Sequence, residues 1–303
     1  MSKMDEISRF TPIETGDGSC TFYSEMFGEW FHSRDGACNE AQKTYVEASN
    51  LAARAQQKSE GESLKILDVC YGLGYNTAAA LETIWRVNPR CVVDVQALEI
   101  DIEVARSAIA QGLTQQYSPE IQSVLETVAS TTIAASKAPD AENSFLVNLR
   151  LGDARQQIQP LVEADWQADI IFLDPFSPPS CPQLWTVEFL QQVAQCLDPD
   201  SGVLVTYSCA AAIRAALKLA GLSITSSHSG GRKWPGTIAT FNPIEQNSLS
   251  LKEQEHLQTR AAVPYRDATL RATAAEILAQ REKEQRTSTL LPTKPWRQRW
   301  QQQ

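Results

Sequence analysis

Short hydrophobic runs alternate with amphipathic stretches from about residue 64 to residue 240. The runs are rich in Val, Ile and Leu and end in a turn or an acidic residue, as strands buried on both faces do. Between two of them, apolar residues recur at the helical positions 185, 189, 190, 193 and 197. This alternation predicts an α/β fold with a doubly wound, mostly parallel sheet of about seven strands.

The pattern also gives the approximate place of each element. The predicted strands begin at residue 64 and continue at 91–99, 145–151, 168–173, 202–207, 223–226 and 236–241, the last two pairing antiparallel at an edge. The predicted helices are 39–57, 77–87, 182–197, 210–220, 251–260, 268–286 and one within 113–143. We therefore divide the chain into an N-terminal extension (1–60), a Rossmann-like domain (61–245) and a C-terminal helical, basic extension (246–303).

A glycine-containing turn follows the first strand. Gly72 and Gly74 lie two residues apart, after Asp68 and before a helix. Glycine tolerates positive φ, and a helix N-terminus presents unpaired N–H groups to a ligand. Thr77 stands where a dinucleotide fingerprint has its third glycine, and the Gly-Lys-Ser/Thr of a P-loop is absent. A nucleoside-binding turn of a methyltransferase and a purely structural βα turn both stay open.

Acidic residues follow the next strands of the predicted sheet. Glu99 ends the second strand, Asp153 and Ala154 follow the third, and Asp174 follows the fourth. Ligands of open parallel sheets bind outside the carboxyl ends of the strands. Glu99 can accept hydrogen bonds from ribose hydroxyls, and Asp153 can accept one from an adenine amino group. A single such acid is more often a solvated strand-end carboxylate, but several in register favour a binding site.

Composition narrows the class of protein. The chain has 303 residues, of which 43% are hydrophobic and 21% charged. No apolar run approaches the ~18 residues of a membrane span, and the N-terminus lacks a signal-peptide core. Seven cysteines without a C-x-x-C pair indicate a reducing cytoplasm. The three histidines are far apart in sequence, so we expect no metal site.

Charge is distributed unevenly along the chain. Residues 251–303 carry ten Lys or Arg and six Asp or Glu, whereas residues 1–250 carry 17 basic and 30 acidic side chains. An acidic body disfavours non-specific binding to polyanions. In the basic tail, Trp296 and Trp300 are interleaved with arginines, a combination that can neutralise phosphates and stack on bases. A solvated polar terminus is the alternative interpretation.

Four blocks of sequence stand out beyond these patterns. The block beginning Phe172-Leu173-Asp174-Pro175 and ending Leu184-Trp185-Thr186 is the most specific, and the others are residues 31–46, 68–76 and 230–237 with 264–267. Together the four blocks resemble the methyltransferase domain of the MnmC-type tRNA-modification enzymes. The family usually has Gly where Cys70 stands, so we expect either a slightly different turn or a strained φ at Cys70. The resemblance is to the standalone methyltransferase form, and the flavin-dependent oxidase activity of bifunctional members is not carried over.

The resemblance implies an S-adenosyl-L-methionine-dependent N-methyltransferase acting on 5-aminomethyl-2-thiouridine at the tRNA wobble position. Asp174 would orient the substrate amine and stabilise the developing ammonium, and Phe176 would stack on the flipped-out base. The remaining residues that the resemblance assigns to the cofactor are Ser33, Gly36, Glu40, Asp68, Gly72, Gly74 and Asn76. Those that it assigns to the substrate are Arg232, Lys233, Tyr265 and Arg266.

Two other function classes stay open from the sequence. An aminopropyltransferase of the spermidine-synthase type uses an aspartate at the same strand end, but the loop Ser177–Ser180 offers no further acid for a polyamine. A methyltransferase-like scaffold that binds tRNA or a protein without catalysis is favoured only by Cys70. Cofactor binding separates this scaffold from both enzymes.

Overall fold

The computed structural model describes residues 9–136, 143–227, 235–243 and 249–301. Four two-residue strands come first and pair as two small antiparallel ladders, β1 with β2 and β3 with β4: Ile13–Glu14, Cys20–Thr21, Tyr23–Ser24 and Glu29–Trp30. The strands β5 to β12 form the main sheet: Ser63–Val69, Val92–Glu99, Ile133–Ser136, Phe145–Leu151, Ile170–Leu173, Val203–Thr206, Ser223–Ser226 and Thr237–Thr240.

The main sheet has eight strands in the order β11-β12-β10-β9-β5-β6-β8-β7. Its five central strands, β10, β9, β5, β6 and β8, are parallel. The edge strands β11 and β12 pair antiparallel, as predicted. The α/β fold with a mostly parallel sheet is confirmed.

The prediction of seven strands was one short. The additional strand is β7, which pairs antiparallel with β8 at the sheet edge. The sequence 113–143 was expected to hold a helix, and it does, but four residues after that helix complete the sheet. Ile133 is half exposed and its neighbours are alanines, so the strand has almost no hydrophobic signal of its own. Its pairing with a neighbour defines it.

Twelve α-helices accompany the strands in the described ranges. α1 to α6 are Ala37–Glu40, Leu51–Gln57, Tyr75–Val87, Ile102–Ala110, Pro119–Thr131 and Ala154–Gln157. α7 to α12 are Gln159–Glu163, Val187–Gln195, Ala211–Leu219, Leu251–Leu257, Ala274–Thr287 and Thr293–Gln301. A π-helix spans Ala41–Glu47, and 3₁₀ turns span Pro182–Trp185 and Arg260–Ala262.

Two predicted helices are interrupted. The helix expected over 39–57 divides into α1, the π-helix and α2, with Asn50 in the left-handed region at φ 55°. The helix expected over 182–197 begins as a 3₁₀ turn, and α8 starts only after Thr186, whose hydroxyl accepts a hydrogen bond from the N–H of Phe189. Hydrophobic periodicity does not report such breaks, because the buried stripe continues across them. α4, α6 and α7 were not predicted, and α12 lies in the extension predicted to be helical but outside the helix ranges given for it.

The two faces of the sheet pack against separate hydrophobic cores. Side chains of a strand alternate between faces, so Leu64 and Ile66 of β5 join one core and Leu67 and Val69 join the other. The first core includes α3 and α5, and the second includes α8 and α9. No helix in the described ranges is long and apolar enough to cross a bilayer.

The strand order reverses between β5 and β9. β5 connects onward to β6 on one side, while β9 and β10 extend the sheet on the other. At such a switch point, the loops after neighbouring strands diverge and leave a crevice beyond their carboxyl ends. The glycine turn follows β5, and Asp174 follows β9, so both lie at this crevice.

Candidate active site

A cavity of about 530 Å³ occupies the crevice at the carboxyl ends of the strands. Its floor consists of residues that directly follow β5, β6, β8, β9 and β10. Its outer wall comes from the N-terminal extension, whose lining residues lie mostly between Ser24 and Arg34. The sheet and the extension therefore enclose the candidate site together.

The turn after β5 has three residues with positive φ. Cys70 has φ 73°, Gly72 has φ 56° and Gly74 has φ 85°. Of the two alternatives expected at Cys70, the structure has the strained φ. Cys70 and Gly72 line the cavity. A Cβ on Gly74 would lie 2.8 Å from the Tyr71 hydroxyl, so this glycine is needed for packing of the turn.

Glu99, at the end of β6, holds this turn from the side. One carboxylate oxygen accepts from the N–H of Gly72 at 2.8 Å, and the other accepts from the N–H groups of Ile100 and Asp101 at 2.8 and 3.0 Å. Glu99 also lines the cavity, although it is 7% exposed. Burial raises its pKa despite these three hydrogen bonds. The residue therefore shapes the turn as well as facing the cavity.

Asp174 is held through both carboxylate oxygens. The phenol of Tyr45 donates to Oδ1, and the Nδ2 of Asn76 donates to Oδ2 at 2.9 Å. Its own N–H donates to the carbonyl of Val69 at 3.1 Å, which joins the end of β9 to the end of β5. The carboxylate is thus fixed in one orientation at the cavity wall.

The protonation of Asp174 is unusual for a carboxyl group. Burial, and then the nearby negative charge of Glu40, raise its pKa well above the ordinary value, although the bonds from Tyr45 and Asn76 oppose the shift. Burial and the charge of Asp174 likewise raise the pKa of Tyr45, so the phenol stays protonated. Asp174 is therefore a much stronger proton acceptor than an exposed aspartate.

Aromatic rings form one wall of the cavity. Phe176 stacks on Phe27 with centroids 4.5 Å apart and contacts the edge of Phe31 at 5.0 Å. Glu29 ties the adjacent loop to the N-terminal extension, because its carboxylate accepts from the N–H and hydroxyl of Ser177 and from the hydroxyl of Ser180. Phe176 is consequently part of a packed cluster and not an isolated lid residue.

The N-terminal extension also contributes polar groups. The N–H of Ser33 donates to the carboxylate of Glu40 at 2.8 Å, and both residues line the cavity. His32 lines it as well, and burial lowers the pKa of its imidazole to about 4. The buried Nδ1 of His32 has no hydrogen-bond partner in the described structure. A neutral, buried imidazole thus lies in this part of the cavity wall.

At the opposite end, Asp153 is engaged by its neighbour Arg155. Nε and Nη2 of the guanidinium contact the two carboxylate oxygens of Asp153 at 3.1 and 2.7 Å. Nη1 reaches Asp267 of the C-terminal extension at 2.9 Å. Asp153 also caps α6 by accepting from the Arg155 N–H at 3.0 Å. Much of the acceptor capacity predicted for an adenine amino group is therefore occupied within the protein.

The structure brings about half of the predicted site residues to the cavity wall. Those that line it are Ser33, Glu40, Gly72, Glu99, Asp153, Ala154, Asp174 and Phe176. Arg232 and Lys233, predicted to contact substrate, lie outside the described residues. Whether the lining residues bind the cofactor stays a prediction.

Several predicted residues lie behind the wall instead. Asp68 is fully buried and accepts from the hydroxyl of Thr77 at 2.7 Å, and Asn76 acts on the cavity only through Asp174. Gly36 allows the close approach of Asp17, since a Cβ there would lie 2.5 Å from that carboxylate. In these cases the glycine or acid meets a packing requirement of its own part of the fold.

Tyr265 and Arg266 also lie away from the cavity lining. The Tyr265 ring packs under the guanidinium of Arg281 at 4.3 Å, and Arg266 pairs with Glu188 at 2.7 Å. The block around them is a clamp that fixes the C-terminal extension to the sheet domain. Asp267 of the same block is linked to the cavity lining, because it pairs with Arg155.

Several residues of the site give no signal of their role in the local sequence. Tyr45 lay inside a block that carried the resemblance, but nothing in its local pattern indicated a contact with Asp174. The other unassigned residues that line the cavity include Phe27, Glu29, Phe31, His32, Arg155 and Tyr207.

The residues present suit a cationic nucleoside ligand. Six acidic residues line the cavity against three arginines, and Glu40, Glu99 and Asp174 are among the six, so the lining favours positive charge. Gly72 leaves backbone bare where a side chain would otherwise project into the cavity. S-adenosyl-L-methionine, with its ammonium, sulfonium and ribose hydroxyls, has the chemistry that such a site accepts.

Comparisons with known proteins agree with this assignment. Residues 115–242 match the family described as S-adenosyl-L-methionine-dependent methyltransferase. The crystal structure of MnmC2 from Aquifex aeolicus superimposes with a TM-score of 0.77 and 28% identity, covering 93% of this chain and 87% of that one.

Two sequence relatives differ in length and in what is known of them. The uncharacterized protein MJ0670 of Methanocaldococcus jannaschii is 31% identical over 272 residues, covering 89% of this chain and 71% of that protein. The tRNA 5-methylaminomethyl-2-thiouridine biosynthesis bifunctional protein MnmC of Ralstonia nicotianae is 29% identical over 76% of this chain. The chain spans only 34% of that bifunctional relative.

The fold, the site and the comparisons converge on one chemistry. The protein is a methyltransferase, and its cofactor is S-adenosyl-L-methionine. With the glycine turn after β5 and Asp174 after β9 facing one cavity, the chain belongs to the S-adenosyl-L-methionine-dependent methyltransferases of the MnmC type.

Proposed function

We propose that this enzyme methylates the primary amine of 5-aminomethyl(-2-thio)uridine at the wobble position of tRNA, giving 5-methylaminomethyl(-2-thio)uridine. The observation that carries the proposal is the buried carboxylate of Asp174, oriented by Tyr45 and Asn76 at the cavity wall. A tRNA substrate also entails a cytoplasmic location, which we propose with it.

An amine substrate sets a protonation problem. An alkylammonium ion, with a pKa near that of lysine, about 10, has no lone pair with which to attack a methyl group. The enzyme must therefore bind the neutral amine or remove a proton. S-adenosyl-L-methionine supplies the methyl group, activated by its cationic sulfur.

Asp174 has the properties that this task requires. Its raised pKa brings the carboxyl group closer to the pKa of the substrate ammonium. Proton transfer from the ammonium to Asp174 is therefore less unfavourable than transfer to an ordinary carboxylate. With both oxygens held by Tyr45 and Asn76, the carboxylate can orient the amine and stabilise the ammonium that forms as the methyl group is transferred. We assign Asp174 the catalytic role in this proposal.

The aromatic wall suits a base that has left its stack. Phe176, held against Phe27 and Phe31, presents a rigid apolar surface within the cavity. A wobble base must unstack to enter a pocket, and stacking on an aromatic ring offsets part of that cost. The enclosure by the N-terminal extension would then keep water from the reacting groups.

The relatives support a tRNA substrate without specifying it for this chain. MnmC of Ralstonia nicotianae bears a name that refers to tRNA 5-methylaminomethyl-2-thiouridine, but this chain matches only part of it. A polyamine substrate finds less support in the site. The acid that contacts the loop after β9 is Glu29, and its carboxylate is already engaged by Ser177 and Ser180.

The direct test supplies the enzyme with tritiated S-adenosyl-L-methionine and tRNA that carries 5-aminomethyl-2-thiouridine. Digestion to nucleosides should place the label in 5-methylaminomethyl-2-thiouridine, and tRNA without the aminomethyl group should stay unlabelled. Label in another nucleoside, or label that appears equally in the control tRNA, would overturn the assignment. In a separate incubation with decarboxylated S-adenosylmethionine and putrescine, formation of spermidine with methylthioadenosine as the leaving product would indicate the polyamine reaction.

A further inference from the structure

A second cavity, of about 340 Å³, lies between the C-terminal extension and the segment that follows β10. The helices α10 and α12 form most of its wall. Its lining residues are Cys209, Ala210, Arg214, Pro235, Lys252, Glu253, His256, Trp296, Arg297 and Trp300. None of these residues was assigned a role by the site already described.

Two tryptophans give the cavity flat aromatic surfaces. Trp296 and Trp300 are four residues apart on α12 and therefore lie on the same side of the helix. The Nε1 of Trp296 donates to the carbonyl of Lys252 at 3.0 Å, and that of Trp300 donates to Glu255 at 2.8 Å. His256 stacks on Trp296 with centroids 3.8 Å apart and planes within 3°. The rings are thus fixed before any ligand arrives.

Cations dominate the charge of the same cavity. Arg214, Lys252 and Arg297 line it, whereas Glu253 is its single lining carboxylate. Glu253 is paired with Arg214 at 2.7 Å. Burial, followed by the charges of these three cations, lowers the pKa of His256 to about 4, so the imidazole is neutral at pH 7. A chain of formal net charge −9 thus concentrates positive charge around aromatic rings at this place.

The second cavity adjoins the first through one short segment. Tyr207, directly after β10, lines the methyltransferase cavity, and Cys209 lines the cationic one. Two residues of extended chain span at most about 7 Å, so one lining residue of each cavity lies within that distance of the other. A polymer that places one unit in the first cavity can reach the second with a nearby unit.

We propose that the cationic cavity binds an unpaired nucleotide of the RNA substrate, near the nucleotide that is methylated. Its base would stack on Trp296 and Trp300, and its phosphate would lie at Lys252 and Arg297. Stacking on aromatic residues beside cations is the usual mode of recognition for single-stranded nucleic acid. The inference rests on the proposed tRNA substrate and adds a second contact for it.

Charge complementarity favours a nucleotide over an apolar peptide. A peptide helix that filled the cavity would have to leave Lys252 and Arg297 beside apolar side chains, where burial of their charge is costly. A nucleotide supplies both a ring for the tryptophans and an anion for the cations.

The variant Arg297→Glu tests the site, and Lys294→Glu is its control. Both make the same change of charge on exposed positions of α12, but Lys294 does not line the cavity. We expect Arg297→Glu to weaken tRNA binding about tenfold and to reduce the salt dependence by about one phosphate contact. Lys294→Glu should stay within about twofold. Neither variant should change the affinity for S-adenosyl-L-methionine.

A second variant tests the stacking without a change of charge. Trp300→Leu should abolish most of the quenching of tryptophan fluorescence by a short oligouridine, with circular dichroism confirming that the fold is retained. If Trp300→Leu unfolds the extension, the tRNA affinity of Arg297→Glu, compared with that of Lys294→Glu, decides whether the cavity binds the nucleotide. Equal tRNA affinities of wild type, Arg297→Glu and Lys294→Glu would overturn the site.

The two proposals fail in different ways. If the wild-type enzyme methylates the wobble uridine but Arg297→Glu binds tRNA normally, the nucleotide site is wrong and the proposed function stands. If no methylation of the wobble uridine occurs but oligouridine binds and Arg297→Glu abolishes this binding, the site stands and the proposed substrate is wrong. Binding of a protein partner that is lost in Arg297→Glu, with tRNA binding unchanged, would also overturn the nucleotide site.

Discussion

The phenol of Tyr45 donates its hydrogen bond to Oδ1 of Asp174, although the two residues are 129 positions apart in the sequence. Tyr45 lies in the π-helical segment of the N-terminal extension, and Asp174 follows the central strand β9. The contact therefore joins the extension to the chemical centre of the sheet. It also stabilises the carboxylate form of a buried acid that would otherwise hold its proton more tightly.

The variant Tyr45→Phe should shift the pH dependence of the reaction. Loss of the hydrogen bond destabilises ionised Asp174 and raises its pKa further, so the rising limb of the pH–rate profile moves to higher pH. We expect turnover near pH 7 to fall about tenfold, with less loss at pH 9. Methylation rates measured from pH 6 to 10 check this.

The exposed Tyr23 provides a matched control for that experiment, because Tyr23→Phe removes the hydroxyl of a residue that does not line the cavity. Its profile should coincide with that of the wild type. A Tyr45→Phe profile that is lowered uniformly, without a shift along the pH axis, would show that the phenol does not tune Asp174.

The variant Asp174→Asn should separate chemistry from cofactor binding. The amide keeps the size of the side chain and can still contact Asn76, but it cannot accept a proton or stabilise an ammonium by charge. We expect turnover to fall by about 10²-fold or more while the affinity for S-adenosyl-L-methionine stays within a few-fold. Single-turnover kinetics and calorimetry measure the two quantities. Normal turnover would remove Asp174 from the proposed reaction.

Local sequence patterns were sufficient to predict the floor of the site. The strands β5, β6, β8 and β9 have clear hydrophobic runs, and the residues after them follow from where those runs end. The parallel arrangement then requires these ends to meet at one edge. The glycine turn and the acids at the cavity were predictable for this reason.

The wall of the site depends on contacts that no local pattern records. Glu29 reaches Ser177 across 148 residues, and Arg155 reaches Asp267 across 112. The π-helix that presents Tyr45 has the same polar pattern as a continuous helix. Such placements result from tertiary packing, so they could not be inferred from spacing along the chain.

The variant Glu99→Gln should weaken binding of the cofactor and loosen the glycine turn after β5. The carboxylate of Glu99 accepts hydrogen bonds from the N–H groups of Gly72, Ile100 and Asp101 with both of its oxygens. A glutamine amide has a single acceptor oxygen, so it can keep only part of these bonds. We expect the free energy of S-adenosyl-L-methionine binding to become less favourable by about 1.5–3 kcal/mol, as for the loss of a charge-assisted hydrogen bond. Isothermal calorimetry measures this directly. An unchanged dissociation constant would mean that Glu99 serves the turn alone and that the ribose site lies elsewhere.

The buried Asp68 should impose a pH dependence on stability. Burial raises its pKa from 3.8 to about 7, so the folded state binds this proton more tightly than the unfolded state. Its contribution is therefore fully present below pH 4 and is lost as the pH rises to about 7. The variant Asp68→Asn cannot ionise. Relative to wild type, its free energy of unfolding should rise by roughly 3–4 kcal/mol between pH 4 and pH 8.

Urea titrations of both proteins across that pH range measure the difference. Ionisable groups other than Asp68 are common to the two proteins, and their contributions largely cancel. Parallel pH profiles for wild type and variant would show that Asp68 keeps an ordinary pKa in the folded protein.

The adjacent residues Arg266 and Asp267 should differ sharply in their contribution to stability. The Asp267 side chain is 1% exposed and meets Arg155 at 2.9 Å, whereas the Arg266 side chain is 48% exposed in its pair with Glu188. Removing one partner of a buried pair leaves the other charge buried, while an exposed pair contributes little. We expect Asp267→Asn to lower the free energy of unfolding by about 3 kcal/mol and Arg266→Ala to lower it by less than about 1 kcal/mol.

Chemical denaturation at pH 7 compares the two variants. Burial alone would raise the pKa of Asp267, but hydrogen bonds from Thr269, Ala272 and Arg155 outweigh it and lower the pKa. The stabilisation by Asp267 is therefore present above about pH 4 and is lost as the pH falls further. For this reason, the difference in free energy of unfolding between wild type and Asp267→Asn should become smaller below about pH 4. Equal losses for both variants at pH 7 would mean that the C-terminal extension is not held to the cavity through Arg155.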